Sequence, residues 1–198
     1  MTAALVLASK SATRRAVLDG AGVPFEAAGS GVDEETAKAE LLATGASPRQ
    51  VAEALAERKA LAVSRGRPEL VIGADQTLEF EGRLYDKAET MDDARARLQA
   101  LRAKPHQLHS AVVVARDGAV VWRETESATL TMRGFSDDFL EDYLATEGDA
   151  ALGSVGCYRL EGMGVQLFSR IEGDYFTILG LPLIGLLELL RRQGVLRP

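Results

Sequence analysis

One cysteine, two histidines, one tryptophan and no excess of positive charge are the scarcities of this chain, and each excludes something. Cys157 alone supports neither a disulfide framework nor a thiolate zinc site, and its expected role is that of a small buried core residue. His106 and His109 stand three apart on a predicted strand and so point to opposite faces. No Ser-His-Asp arrangement or histidine metal motif can be built on them. The net charge of -6 argues against a polymer-coating nucleic-acid binder, which needs a broad basic surface. A small anionic substrate needs only a local cluster of bases and stays open. The longest apolar run, residues 178–187, is too short to span a bilayer and is broken by Gly180, Pro182 and Gly185. No basic region precedes the short apolar stretch near the start, so a signal peptide is not expected. These features predict a soluble, cytoplasmic protein without membrane association.

The chain of 198 residues suffices for one substantial core or two lobes sharing a cleft. An apolar run at residues 5–8 reads as a buried strand. It breaks into Ser9 and Ser11, and then Lys10, Arg14 and Arg15 open a helix. Cations are disfavoured in a helix's first turn, where the macrodipole is positive, and a bound anion reverses that sign. Outward-pointing, solvated arginines are the simpler alternative. A second strand is predicted at 25–28, a polar turn at 29–35 with Asp33, Glu34 and Glu35, and a short helix at 37–43. Ser47, Pro48 and Gln50 form a capping-box start for a helix that runs to Ser64.

Residues 70–74 predict a buried strand that ends at Asp75. Residues 78–80 and 83–85 read as a hairpin about Glu81-Gly82. Thr90 caps a helix to about Lys104, and long strands at 106–116 and 119–133 meet at Asp117-Gly118. Ser136 starts another helix, 147–164 reads as glycine-rich loop, and 165–168 as strand. Pro182 starts a closing helix to Arg192 that is apolar almost all round and expected to be buried. Alternation in the first half and hairpins in the middle predict a mixed α/β sheet in two lobes with a central cleft.

Two positions resist a purely structural reading. Lys59 falls in the apolar sector marked by Val51, Ala52, Leu55, Ala62 and Val63, with Arg58 at its edge. A lysine there needs a carboxylate or a ligand anion, or else packs its stem and lets the ammonium escape. Deleting a lone buried charge, as in Lys59→Met, is expected to preserve or raise the melting temperature. Asp75, at the carboxyl end of its strand, suits a metal ligand or general base, although turn aspartates commonly accept backbone N–H groups. Lys87 follows the strand 83–85 as a loop cation whose default is solvated surface.

Eight blocks in order, LASKSATRR at 7–15, VDEE at 32–35, RKA at 58–60, VIGADQT at 71–77, YDK at 85–87, EGMG at 161–164, RIEGDY at 170–175 and GLPL at 180–183, resemble the Maf family of nucleoside triphosphate pyrophosphatases. The resemblance covers nearly the whole chain as a single domain, 1–198. It implies an α/β fold related to the inosine triphosphatase architecture and hydrolysis of a nucleoside triphosphate to monophosphate and pyrophosphate. A divalent cation, Mg²⁺ or else Mn²⁺ or Co²⁺, and a homodimer are implied with it. So is Asp75 as the catalytic carboxylate, with Glu34 as an acidic catalytic or metal-binding partner and Ser9, Ser11, Arg14, Lys59 and Lys87 on the triphosphate. Thr13, Gln76 and Glu161 occupy the positions that track the nucleobase. Gln76 and Glu161 match the branch acting on 7-methyl-GTP, whereas Thr13 replaces its tryptophan. The expectation is a purine-leaning enzyme. A dTTP/UTP pyrophosphatase and a non-catalytic nucleotide-binding regulator of cell division are the alternatives. The chain departs from the family at Arg58, where Glu is usual, and at Ala88, where Pro is usual. The second departure is expected to loosen the loop that aims Lys87.

Overall fold

The computed structural model describes residues 5–198. The elements run β1 (Leu5–Leu7), α1 (Ala12–Gly20), β2 (Glu26–Ala27), α2 (Glu34–Ala43), α3 (Pro48–Ser64), β3 (Leu70–Phe80), β4 (Arg83–Tyr85), α4 (Met91–Leu101), β5 (Pro105–Arg116), β6 (Ala119–Met132), α5 (Asp137–Glu147), β7 (Phe168–Glu172), α6 (Tyr175–Ile178) and α7 (Leu183–Arg192). Short 3₁₀ helices occupy Gly148–Gly153 and Met163–Leu167. The seven strands form one mixed sheet in the order β2-β1-β3-β5-β6-β7, with β4 antiparallel to β3. β1 is parallel to both β2 and β3, and β7 is antiparallel to β6. The expected mixed α/β sheet is therefore present. No described helix is long and apolar enough to cross a membrane.

Strand alternation assigns the core. Leu5, Leu7, Leu70, Ile72, Ala74, Val112 and Val114 face one side of the sheet and pack with Val17 and Leu18 of α1 and Leu183, Leu186 and Leu190 of α7. On the other side Ala111, Val113 and Ala115 meet Ala52, Ala56 and Ala60 of α3. Small residues let the α3 backbone approach closely, and Gly73 shows how closely. A Cβ there would lie 2.2 Å from the Ala56 carbonyl oxygen and 2.5 Å from the Ala60 nitrogen, so only glycine fits.

The chain divides into two compact units. The first comprises residues 1–76, 109–126 and 174–198, the second 77–108 and 127–173, so β3, β5 and β6 contribute residues to both.

Several expectations are corrected. β3 does not end at Asp75 but continues to Phe80, because the polar side chains that interrupt its apolar run find partners instead of a turn. α2 begins at Glu34 rather than 37, since Asp33 accepts the Thr36 N–H as its N-cap. α4 stops at Leu101, and Pro105 already belongs to β5. The predicted strand at 165–168 is mostly 3₁₀ helix, and β7 follows it. α7 is buried on one face only: Ile184 is 66% exposed. The α3 capping box forms as read, with Ser47 and Gln50 exchanging both bonds. Both Asp117 and Gly118 adopt positive φ, as a tight hairpin turn between strands requires.

Candidate functional site

The close seat of α3 on β3 creates the candidate site of the first unit. Lys59 lies between Ala56 and Ala60 on the buried face of α3, and Asp75 follows Gly73 on the same face of β3. Lys59 Nζ donates to Asp75 Oδ1 at 2.6 Å and to Glu34 Oε2 at 2.9 Å. Lys59 and Asp75 keep only 6% and 10% of their side chains exposed, whereas Glu34, in the first turn of α2, is 46% exposed. One buried ammonium thus gathers two carboxylates from different elements.

Burial pushes the Asp75 carboxyl above its ordinary pKa; the Lys59 and Arg14 charges pull it down, and Glu34 adds to the rise. Such a carboxyl is a stronger base than a solvated aspartate. Arg14 is buried rather than solvated, so the simpler reading of that residue is excluded; Arg15 is exposed. Arg14 Nε donates to the Gly180 carbonyl at 2.8 Å and Nη1 to Ser9 Oγ at 3.3 Å. Burial disfavours its charge, and the Asp75 and Glu34 carboxylates favour it.

Ser9 Oγ also accepts the Ser11 N–H, and Ser11 caps α1 by accepting the Arg14 N–H. The turn after β1 therefore holds its hydroxyls and guanidinium against the start of a nine-residue helix, the arrangement that favours an anion. Thr13 is half-buried on α1. Arg58 lies outside the cluster, exposed and paired with Glu40 at 3.0 Å.

Gln76 points to the opposite face of β3 from Asp75. Its Nε2 donates to Ser110 Oγ at 3.0 Å and to the Thr177 and Ile178 carbonyls at 3.1 and 3.0 Å. Ser110 itself donates to the Thr177 carbonyl, so this amide ties α6 to the sheet.

Lys87 and Glu161 belong to the second unit. Lys87 is exposed in the loop after β4. Ala88 beside it is buried. Glu161 is one-third exposed and lies 3.6 Å from Arg159 Nε. Sequence reasoning missed Glu147, whose side chain is only 6% exposed. It accepts the Met163 N–H at 3.1 Å and sits 3.5 Å from Arg159 Nη1, fixing the turn that carries Glu161. A Cβ at Gly162 would lie 2.7 Å from Glu147 Oε1, so a larger residue there would have to displace that carboxylate. The signal was a glutamate at the end of α5 with no helical reason to be acidic.

Among the described residues no group of three or more His, Cys, Asp or Glu could hold a metal unaided. Asp75 and Glu34, two hard oxygen donors gathered at one point, nevertheless suit magnesium. Protein sites commonly hold that ion through one or two carboxylates together with substrate phosphates.

The first unit thus combines a mixed α/β sheet with a buried Lys-Asp pair, a second acid and a basic turn at a helix start. The family model described as Maf-like protein matches residues 4–193, and the chain belongs to that family. It is 61% identical over 192 residues to the "Nucleoside triphosphate pyrophosphatase" of Caulobacter vibrioides, covering 97% of this chain and 96% of the relative. It is 50% identical to the "7-methyl-GTP pyrophosphatase" of Brucella abortus over 194 residues, covering 98% of each. The protein of the same name from Rhizobium meliloti is 50% identical over 193 residues, 97% of each chain.

Proposed function

We propose that this chain is a nucleoside triphosphate pyrophosphatase, releasing pyrophosphate and leaving the monophosphate. The observation that carries the reading is the buried Lys59 ammonium held between Asp75 and Glu34 beside the basic turn of α1. Relatives of the same family, matched along nearly their whole length, carry that activity in their names.

Asp75 is the acceptor of the proton that water gives up as its oxygen bonds to the α-phosphorus. The bond from that phosphorus to the bridging oxygen breaks, and the pair leaves with pyrophosphate. Lys59 and Arg14 oppose the charge developing on the phosphoryl oxygens, and Ser9 and Ser11 lie where the triphosphate meets the start of α1. Lys87 is assigned to the same triphosphate on the resemblance. Each such contact is typically worth about 3 kcal/mol in the transition state, or a rate factor on the order of 100. Asp75 and Glu34 are the residues that would hold Mg²⁺, with Mn²⁺ or Co²⁺ as substitutes; a bound ion supplies Lewis-acid neutralisation of phosphate charge.

The proposed base preference leans to 7-methyl-GTP and other purines. A carboxylate at Glu161 can accept from the N1–H and the amino group of guanine. Uracil and thymine offer one N–H flanked by acceptors that repel it. A cationic 7-methylguanine favours Glu161 further, while Thr13 offers no aromatic face for stacking. Gln76 contributes through its placement of α6, since its amide nitrogen is engaged there. A cytoplasmic location, read from the sequence, and a homodimer, implied by the resemblance, are part of the same proposal, and sedimentation tests the second.

Pyrophosphate release across 7-methyl-GTP, GTP, UTP and dTTP tests the reading. The expected result is the highest kcat/KM on a guanine nucleotide and a flattened preference in Glu161→Gln. Binding without turnover would favour a regulator, and a clear preference for UTP or dTTP would overturn the base assignment.

A further inference from the structure

The guanidinium of Arg14 is seated by a backbone carbonyl 166 residues away. Its Nε donates to Gly180 at 2.8 Å, and a Cβ on Gly180 would lie 3.6 Å from its Nη2, so the two lie against each other. Gly180 is the residue that closes α6. It has φ 92°, its N–H donates to the Thr177 carbonyl at 3.0 Å, and the Leu181 N–H donates to the Phe176 carbonyl at 3.0 Å. These are the paired bonds of a Schellman turn, with glycine at its left-handed position. A helix of four residues cannot hold its own place, so the Gly180 carbonyl stands where tertiary bonds put α6.

Those bonds come from three strands, through residues that all belong to the first unit. From β5, the fully buried Ser110 donates its hydroxyl to the Thr177 carbonyl at 2.7 Å. From β3, Gln76 Nε2 donates to the same carbonyl, to the Ile178 carbonyl and to Ser110 Oγ. From β6, Glu126 Oε2 accepts the Thr177 hydroxyl at 2.7 Å. Thr177 is itself fully buried, and its N–H donates to Asp174 Oδ2 at 2.8 Å. Ser110 heads the buried apolar run 111–115, where an alanine would be the simpler choice. A hydroxyl buried there costs stability unless it is bonded, and both of its printed bonds lead to α6 or to the amide that holds α6.

We propose that Ser110 is a positioning residue for Arg14 and acts with Gln76 and Thr177: together they fix the turn whose Gly180 carbonyl holds the guanidinium toward the triphosphate. The inference rests on the assignment of Arg14 to the triphosphate made above. None of the three side chains has to touch the substrate, because the effect passes through one carbonyl. Asp75 and Gln76 then divide β3 between its two faces. The first holds the proton acceptor against α3, and the second fixes the seat of the cation. Displacing a group in a site by about 1 Å can cost on the order of 100-fold in rate, so a loosened turn registers in turnover.

A double-mutant cycle on kcat/KM tests the proposal. Arg14→Met is expected to lower kcat/KM on the order of 100-fold. Ser110→Ala should lower it about 10-fold in the otherwise unchanged chain and less than about 2-fold in the Arg14→Met background, because residues that act through one another are non-additive. Equal losses from Ser110→Ala in both backgrounds would overturn the proposal and leave Ser110 a structural residue. The Thr177 hydroxyl gives a second arm. Thr177→Ser keeps the donor to Glu126 and should retain more kcat/KM than Thr177→Val, and that difference should vanish in the Arg14→Met background. Identical kinetics for the two, or a difference that persists there, would overturn the proposal. Where Arg14→Met fails to fold, Arg14→Lys replaces it with the same expectations, since lysine keeps the charge but not the Nε–H that Gly180 accepts. If the Arg14 variants are as active as the parent, the assignment of Arg14 falls and the inference with it. A parent that releases no pyrophosphate fails the functional reading itself and takes the inference with it, a distinct result.

Discussion

Lys59 and Asp75, sixteen residues apart, meet at 2.6 Å with their side chains only 6% and 10% exposed. The pair joins α3 to β3 at the place where Gly73 lets the two backbones come closest. Its partnership reverses one sequence-based expectation. A lone buried lysine could be replaced by methionine with a gain in stability, but a paired one leaves an uncompensated carboxylate behind.

Lys59→Met should therefore lower the melting temperature, with a loss of about 3 kcal/mol typical of breaking a buried pair. Lys59→Met combined with Asp75→Asn should recover most of that loss, because no charge is then stranded. Calorimetry on the three variants checks this. A single variant as stable as the parent would mean that Asp75 neutralises itself without cost.

Asp75→Asn should cut hydrolysis by roughly 1000-fold at saturating metal while preserving the fold, since Lys59 keeps Glu34 as a partner. The pH profile gives a second check. Only the ionised carboxylate can accept the proton, so kcat/KM should rise with pH through the Asp75 pKa. Burial sets that pKa above the ordinary range near ~4, and the acid limb should lie correspondingly higher. The limb should be absent from the residual activity of Asp75→Asn. A limb that persists unchanged in the variant would assign it to another group.

In the second unit His106 is buried, with Nε2 2.7 Å from the Tyr158 hydroxyl, and burial lowers its pKa to about 4. Its ordinary value lies near ~6.5, so between those values the unfolded chain binds the extra proton and stability rises with pH. The parent should lose up to about 3 kcal/mol as pH falls from ~6.5 to ~4. Asp75 contributes with the opposite sign, because its folded pKa is raised, and so the difference between parent and His106→Gln is the quantity to measure. Urea melts at several pH values should show a shallower acid loss in the variant. Parallel curves would contradict the burial account.

Local chemistry made much of this legible. Ser47, Pro48 and Gln50 set the start of α3, and Asp117-Gly118 set a hairpin, because each signal is satisfied by residues within a few positions. Lys59 was visible as a charge in an apolar sector. Asp75 was visible as an acid after a buried run, but its place in mid-strand was not. Its partner sits on α3, and that of neighbouring Gln76 on α6, 101 residues away, so sequence offered a turn where the fold supplies tertiary bonds. Cys157 is the small buried core residue expected. Glu147 was missed for the same reason as the mid-strand place of Asp75: it accepts from a backbone N–H, which carries no residue signature. The family resemblance marked Glu161 but not the Glu147 side chain that holds its turn.

Hydrolysis in water enriched with oxygen-18, followed by mass analysis of both products, tests the central claim most directly. Attack on the α-phosphorus predicts one labelled oxygen in the nucleoside monophosphate and unlabelled pyrophosphate. Label in the pyrophosphate, or a diphosphate and orthophosphate as products, would contradict it.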